Sequence, residues 1–217
     1  MGALDNYNAR TRRLLTDGQK QFFSDQQLTD DINQARIRVA ADTKCLRQLI
    51  TNIVLLAGQE QYNIAATVNG GQPPNRGLNV VEVIGITLYW GNMRVKLQNR
   101  PFTEQDAKVR IFQYYLSRPG SMAMMGANTL YVNPVADQDY NSDWDCVLLP
   151  DPLVTSSDME VLPTVFQTLV PWWAAHLAKY TEQSLSESDI FYKKYLIERQ
   201  AASYACRSTI VRDAYRR

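Results

Sequence analysis

Residues 159–215 read MEVLPTVFQTLVPWWAAHLAKYTEQSLSESDIFYKKYLIERQAASYACRSTIVRDAY. Apolar side chains recur here at steps of three and four residues, which places them on one face of a helix. The spacing predicts two helices, one from about Val161 to Tyr180 and the other from about Glu187 to Val211. The first helix needs a packing partner for its apolar stripe, which consists of Leu162, Phe166, Leu169, Val170, Trp173, Leu177 and Tyr180.

Polar residues and a proline set the expected limits of the first of these helices. Ser157, Asp158 and Glu160 offer caps and negative charge to the free amides at its start. Pro171 lies inside the pattern, and because proline cannot donate a hydrogen bond to the preceding turn, we expect a kink near Thr168.

Composition places the chain among folded proteins. It has 217 residues, of which 45% are hydrophobic and 21% charged, with a formal net charge of +1. This charge does not indicate a nucleic-acid binder. No apolar run is long enough to span a membrane, and the first residues lack the apolar core of a secretion signal, so we expect assembly in the cytoplasm. Three separated cysteines predict neither a disulfide framework nor a zinc site.

Charge is distributed unevenly along the chain, and such segregation can orient partners or copies. The segment 137–160 carries acidic residues without lysine or arginine, whereas the segment from Lys193 to the end is mostly basic. Tyr204 and Tyr215 lie among these basic residues, which allows non-specific contact with DNA. A solvated surface gives the same pattern.

Two helices are predicted before residue 46, one over Tyr7–Leu15 and one that begins with a capping box at Ser24 and Gln27. The second should run to about Asp42. Residues 47–154 are mostly strand-like, with alternating apolar positions, glycine-rich turns and one helical segment. The predicted elements are strand Arg47–Leu55 paired in a hairpin with Gln61–Ala65, strand Asn79–Tyr89 with a second strand to Leu97, helix Pro101–Leu116, and strands Ser121–Met125, Thr129–Asn133 and Trp144–Leu149.

These elements predict a single domain, 1–217, of the α+β class that is mainly α. Residues 1–46 and 155–206 form a helical bundle, residues 47–154 form a β-rich insert with one helix, and residues 207–217 form a basic arm. The bundle ends in long C-terminal helices.

Catalytic signals are sparse, and we expect a protein that is not an enzyme and has no cofactor. The single histidine, His176, lies in a helical pattern without GxSxG or a Cys/His motif, which favours a structural role. Residues 137–145 carry an oxygen at every second position, as in a calcium loop, but Ser142 and Leu148 replace the required glycine and glutamate. The carboxylate pairs available for glycoside hydrolysis are Glu182 with Glu187 and Asp143 with Asp145.

The order of several segments resembles the head-to-tail connector, or portal adaptor, proteins of tailed bacteriophages. In that family a short helix precedes a capped helix, a hairpin follows, and a strand and loop lead into terminal helices. The segments that carry the resemblance are Leu14–Asp17, Phe23–Ser24, Leu28–Ala35, Gly58–Ile64, Leu130–Tyr140 and Leu149–Leu153.

The resemblance implies a virion protein of the neck. It would form a homo-oligomeric ring of twelve copies beneath the portal protein, extend the channel for packaged DNA, and contact a downstream tail or nozzle protein. It implies portal contacts at the basic end and tail contacts in the loop 69–77. The candidate residues are Arg207, Arg212, Tyr215, Arg216 and Arg217 for the portal, and Gln72, Pro73, Pro74, Asn75 and Arg76 for the tail side.

Two alternatives of other classes stay open from the sequence. A virion-associated glycosidase that cleaves peptidoglycan would use the carboxylate pairs. A tail terminator or tail-tube component would be dominated by sheet.

Overall fold

The computed structural model describes residues 2–69, 79–104, 115–126 and 128–205. Its helices and two four-stranded sheets within these residues confirm the predicted α+β class. In chain order the elements are α1 Ala3–Leu14, α2 Asp25–Thr43, β1 Arg47–Leu55, β2 Gln61–Asn63, α3 Ile64–Asn69, β3 Val80–Trp90, β4 Met93–Lys96, β5 Gln98–Asn99, β6 Ser121–Met125, β7 Thr129–Asn133, β8 Tyr140–Leu148, α4 Thr164–Gln167, α5 Val170–Thr181 and α6 Leu185–Ala205.

The chain separates into two compact units. The helical unit combines Met1–Thr43 with Pro152–Arg217, and the β unit is Lys44–Asp151. No helix in the described ranges has both the length and the apolar character to cross a membrane.

Helix α2 forms where its local signals predict. The Gln27 amide donates to Ser24 Oγ at 3.1 Å, which satisfies one of the free amides at the helix start. The predicted apolar stripe of the helix is completely buried, and its members are Leu28, Ile32, Ala35 and Val39. Local capping and apolar spacing therefore agree with tertiary packing in this helix.

The predicted first terminal helix is two helices, α4 and α5, which are separated at Thr168 and Leu169. Pro171 lies in the first turn of α5. Amides in the first turn of a helix have no acceptor within the helix, so the lack of an N–H in proline costs no hydrogen bond there. Proline therefore begins a new helix at the position where we expected a kink. Tyr180, assigned to the buried stripe, is 61% exposed.

The predicted caps of this helix are wrong. The Asp158 carboxylate accepts from the amides of Val154 at 2.7 Å and Thr155 at 2.8 Å, which closes a turn before the helix. Ser157 shares a hydrogen bond with the Thr155 hydroxyl, and Glu160 forms an ion pair with the Arg36 guanidinium. These side chains therefore make their hydrogen bonds and ion pair in the loop before the helix, and they do not cap the free amides at the helix start.

The β unit contains the sheets β1-β8-β3-β4 and β2-β7-β6-β5. Apolar side chains of both sheets form one core, which includes Ile86, Leu88 and Trp144 of the first sheet and Leu130 and Val132 of the second. The two-residue turn at Gly91, with φ of 56°, joins β3 to β4, which are the two successive strands predicted between Asn79 and Leu97.

The predicted hairpin of β1 with Gln61–Ala65 is wrong. β1 pairs with β8, while β2 pairs with β7 in the other sheet. Gly58 adopts φ of 73° between the two strands, and its amide donates to the Ala136 carbonyl. The chain leaves the first sheet at this turn, and Ile64 and Ala65 begin α3 instead of extending a strand.

Other boundaries also differ from the predictions. α1 begins at Ala3, four residues before the predicted start at Tyr7. β8 begins at Tyr140, four residues before the predicted start at Trp144. Of the predicted helix Pro101–Leu116, residues 102–104 are helical, and residues 105–114 lie outside the described part. The last predicted residues of the second terminal helix, 206–211, also lie outside it.

Candidate interaction surfaces

The residues predicted to contact partner proteins lie outside the described part of the chain. This applies to the basic end, Arg207, Arg212, Tyr215, Arg216 and Arg217, and to the loop, Gln72, Pro73, Pro74, Asn75 and Arg76. Both assignments stay predictions.

His176 hydrogen-bonds to a buried serine. Its Nδ1 lies 2.7 Å from Ser188 Oγ and 3.0 Å from the Ser188 carbonyl oxygen. The Ser188 hydroxyl is within 3.0 Å of the His176 carbonyl oxygen, so all these groups are satisfied when Nδ1 carries a proton and the hydroxyl donates to that carbonyl. A general base would accept the proton of the serine hydroxyl. In this arrangement the imidazole does not accept it. The geometry supports a structural role for His176.

The carboxylates of residues 137–145 have separate partners instead of one shared centre. Asp137 accepts from the Tyr140 hydroxyl and Asp139 from the Ala57 amide. Within the described ranges, no group of three or more His, Cys, Asp or Glu side chains could hold a metal ion. The calcium-loop pattern is instead a loop followed by β8, in which Asp143 and Asp145 accept from Tyr89 and Arg47.

Glu182 and Glu187, the other carboxylate pair, share one lysine. Lys179 Nζ lies 3.0 Å from Glu182 and 3.1 Å from Glu187. The hydrogen bonds to these two carboxylates raise the pKa of Lys179. The pair therefore stabilises the connection from α5 to α6.

Three buried or half-buried charge clusters fix the helices of the helical unit. In the first, Arg12 of α1 donates to Asp17 at 2.7 Å, to Asp25 at 2.8 Å and to the Phe23 carbonyl at 2.9 Å. Burial opposes ionisation of Asp17, but the amides of residues 21–23 and the Arg12 guanidinium hold its pKa below the ordinary value. The cluster ties the end of α1 to the start of α2.

The second cluster joins α2 to the segment before α4. Arg36 donates to both Glu160 oxygens at 3.0 Å, and the two side chains are 1% and 7% exposed. One turn earlier, Asn33 donates to the Leu153 carbonyl and accepts from the Leu153 amide. The segment before α4 is therefore held along two turns of α2.

The third cluster joins α2 to α6 around Asp42. Its carboxylate accepts from the Tyr195 hydroxyl at 2.9 Å, Arg199 at 2.9 Å and Arg38 at 3.1 Å. The Trp173 ring packs edge-on against Tyr195 at a centroid distance of 4.9 Å. Helices α2, α5 and α6 therefore share one polar and aromatic contact.

The opposite face of α6 carries exposed apolar side chains at seven-residue steps. Ile190, Ile197 and Tyr204 are 59%, 60% and 58% exposed. Positions seven apart lie on the same side of a helix, so these residues form one row, which we call the α6 row. The inward side of α6 is used by Ser188 and Tyr195, both buried. The α6 row is a surface on which an apolar partner can pack.

A second surface is a recess of about 230 Å³ between α1 and the start of α5. Leu14, Pro171 and Trp172 supply its apolar part, and Arg10, Arg13 and Thr168 are its exposed rim. We call this the arginine pocket.

Comparison of the sequence with protein families shows which family the chain matches. A family model described as SU10 adaptor protein matches residues 5–214, which is nearly the whole chain. No curated protein matches the chain.

Proposed function

Because the chain belongs to the SU10 adaptor protein family, a family of phage structural proteins, we propose that it forms a ring beneath the portal of a phage. The ring, of twelve copies, joins the head to the tail at the virion neck and extends the DNA channel. Its partners are further copies of itself, the portal protein and a downstream tail or nozzle protein.

The α6 row is the observation that carries this proposal. Three large side chains stand about 60% exposed along a helix whose other face is tied into the helical unit. Exposed apolar residues arranged in a row are typical of protein–protein contacts, whereas single exposed residues are ordinary. We propose that neighbouring copies pack on the α6 row.

The size of the row indicates how strongly two copies associate. Full burial of a large apolar side chain is worth about 1.5–3 kcal/mol, so three partly exposed ones supply about 3–5 kcal/mol. Association of two proteins costs at least about 4 kcal/mol in lost freedom of motion. An isolated pair of copies is therefore weak, and ring closure or a portal template supplies the additional contacts.

The charge clusters support a structural role. A ring subunit must hold its contact surfaces at a fixed angle, because a rotation repeated at each interface decides whether the ring closes. Arg36 and Asp42 each join segments that are distant in sequence, and Arg12 fixes the successive helices α1 and α2 to one another. We propose that the chain acts without catalysis, which the hydrogen bonds of His176 and Ser188 support.

Paired substitutions test the α6 row. Ile197→Asp should prevent oligomerisation, alone or on the portal, because it places a charge in the contact. Ile37→Asp is the matched control, since Ile37 is an isoleucine on the exposed side of α2 that is 41% exposed. Light scattering after size-exclusion chromatography measures the mass of each species. Unchanged assembly of Ile197→Asp would contradict the assignment.

Removal of the basic end tests the portal contact. A chain truncated after Ala205 lacks Arg207 to Arg217 and should keep the fold while losing affinity for the portal. Circular dichroism checks the fold, and co-sedimentation with the portal measures attachment. Full attachment of the truncated chain would remove the basic end from the portal interface.

A further inference from the structure

We propose that the arginine pocket binds an acidic, apolar peptide segment of another virion protein. The segment inserts a leucine- or phenylalanine-sized side chain against Trp172 and places a carboxylate between Arg10 and Arg13. Only the choice of another virion protein as the source rests on the proposed function. The chemistry of the segment follows from the pocket.

The recess has the size and lining for one apolar side chain. A cavity of about 150 Å³ is enough for benzene, and this one measures about 230 Å³. Pro171 is buried at its base, and Leu14 and Trp172 are half-buried beside it. An inserted side chain would therefore replace water on three apolar surfaces.

The rim favours a negative charge beside that side chain. Three arginines lie close together on α1, but Arg12 points inward to Asp17 and Asp25. Arg10 and Arg13 are exposed, and within the described ranges neither makes an ion pair. Positions three apart share one side of a helix, and two guanidinium groups at such a spacing suit a carboxylate as a charge-assisted hydrogen-bond acceptor.

A peptide fits this pocket better than DNA does. Arginine beside tryptophan can bind a phosphate and stack on a base, but the apolar group that duplex DNA presents in its major groove is the thymine methyl, which is too small to fill a recess of about 230 Å³. The half-buried indole of Trp172 belongs to the wall of the recess instead of forming an open platform. The apolar volume therefore favours a side chain.

Peptide titration of the purified chain tests the chemistry. The probe is acetyl-Glu-Leu-Glu-Glu-Phe-Glu-amide, and the matched peptide has lysine at every glutamate position. The glutamate peptide should shift the indole N–H signal of Trp172 in NMR spectra, weaken with added salt, and bind at least about tenfold more tightly than the lysine peptide. Equal affinity for both peptides would overturn the proposal.

Charge reversal locates the binding. The double variant Arg10→Glu with Arg13→Glu should bind the glutamate peptide about tenfold more weakly. Arg94→Glu, an exposed arginine of the β unit, is the control and should bind as the unaltered chain does. Unchanged affinity of the double variant would overturn the proposal, and so would tighter binding of a 12-base-pair duplex than of the peptide.

Cross-linking in assembled particles identifies the source. A photoreactive amino acid at Thr168, on the rim, should cross-link to an acidic segment of a different virion protein. A cross-link to another copy of this chain or to DNA, or no cross-link, would overturn the proposal. Because titration does not require assembly, failed peptide binding with intact rings contradicts the pocket alone, and failed rings with normal binding contradict the proposed function alone.

Discussion

Replacing Arg36 by methionine should destabilise the helical unit strongly. Arg36 makes two hydrogen bonds of 3.0 Å to Glu160, and both side chains are more than nine-tenths buried. Removal of one member of a buried ion pair costs about 3–5 kcal/mol, since the other charge stays buried without its partner. Glu160 keeps the amides of Val161 and Leu162 as donors, so the lower value, about 3 kcal/mol, is expected.

The loss should depend on pH in a defined direction. Burial opposes ionisation of Glu160, but hydrogen bonds from Arg36 and from the Leu162 amide hold its pKa below the ordinary value. In the folded wild-type chain this ionised form is stabilising above the ordinary glutamate pKa of about 4.3. That stability is lost as pH falls through the lowered folded pKa. In the variant, burial without Arg36 raises the pKa, so the stability difference should be largest near pH 7 and shrink as Glu160 becomes protonated.

Urea unfolding followed by circular dichroism measures both effects. Arg13→Met is the matched control, because Arg13 is exposed and the same substitution there should change the free energy of unfolding by less than about 0.5 kcal/mol. Two results would contradict a stabilising role for the Arg36–Glu160 pair. They are equal stability of the Arg36 and Arg13 variants, and a stability difference for Arg36→Met that grows as pH is lowered from 7 to 4.

Two further predictions concern single side chains. Tyr195→Phe removes the 2.9 Å hydrogen bond to Asp42 and should lower the free energy of unfolding by about 1–2 kcal/mol, whereas Tyr192→Phe, at a partly exposed ring, should change it little in the same urea assay. Burial raises the pKa of Cys146 to about 12, so iodoacetamide at pH 8 should modify half-buried Cys45 well before Cys146 in peptide mass spectra. Faster modification of Cys146 would contradict its burial.

The sequence predicts elements whose signals are local. The capping box and stripe of α2 lie within twenty residues of one another, and the strands β6 and β7 have the predicted limits. The hairpin prediction for Gln61–Ala65 failed because strand pairing is decided by non-local partners. The alternation of β1 is satisfied equally by β8, which is far away in sequence.

The interaction surfaces also combine features that local sequence spacing predicts with features that depend on non-local packing. Seven-residue spacing of Ile190, Ile197 and Tyr204 is visible in the sequence, but their exposure depends on which side of α6 packs inward. On α1, helical spacing places residue 12 on a different side from residues 10 and 13. This spacing could have distinguished the buried Arg12 from the exposed Arg10 and Arg13 before the structure was known. The pocket itself requires Trp172 of α5 beside α1, which no local pattern contains.

The acidic segment 137–160 shows that composition does not reveal how individual carboxylates are used in the fold. From the sequence, its charge could either orient partners or lie on a solvated surface. In the structure most of these carboxylates are hydrogen-bond acceptors for nearby groups. Asp158 closes a turn, Asp143 accepts from Tyr89, and Glu160 pairs with Arg36. Counting charges cannot distinguish a solvated carboxylate from one used in folding, because both contribute equally to net charge.

Electron microscopy of the purified chain mixed with the portal protein of the same phage is the decisive test of ring formation at the neck. We predict closed rings of this chain stacked on one face of the portal, with their channels aligned and α6 at the contacts between copies. Single copies bound at scattered positions, or a chain that stays monomeric in the presence of the portal, would contradict it.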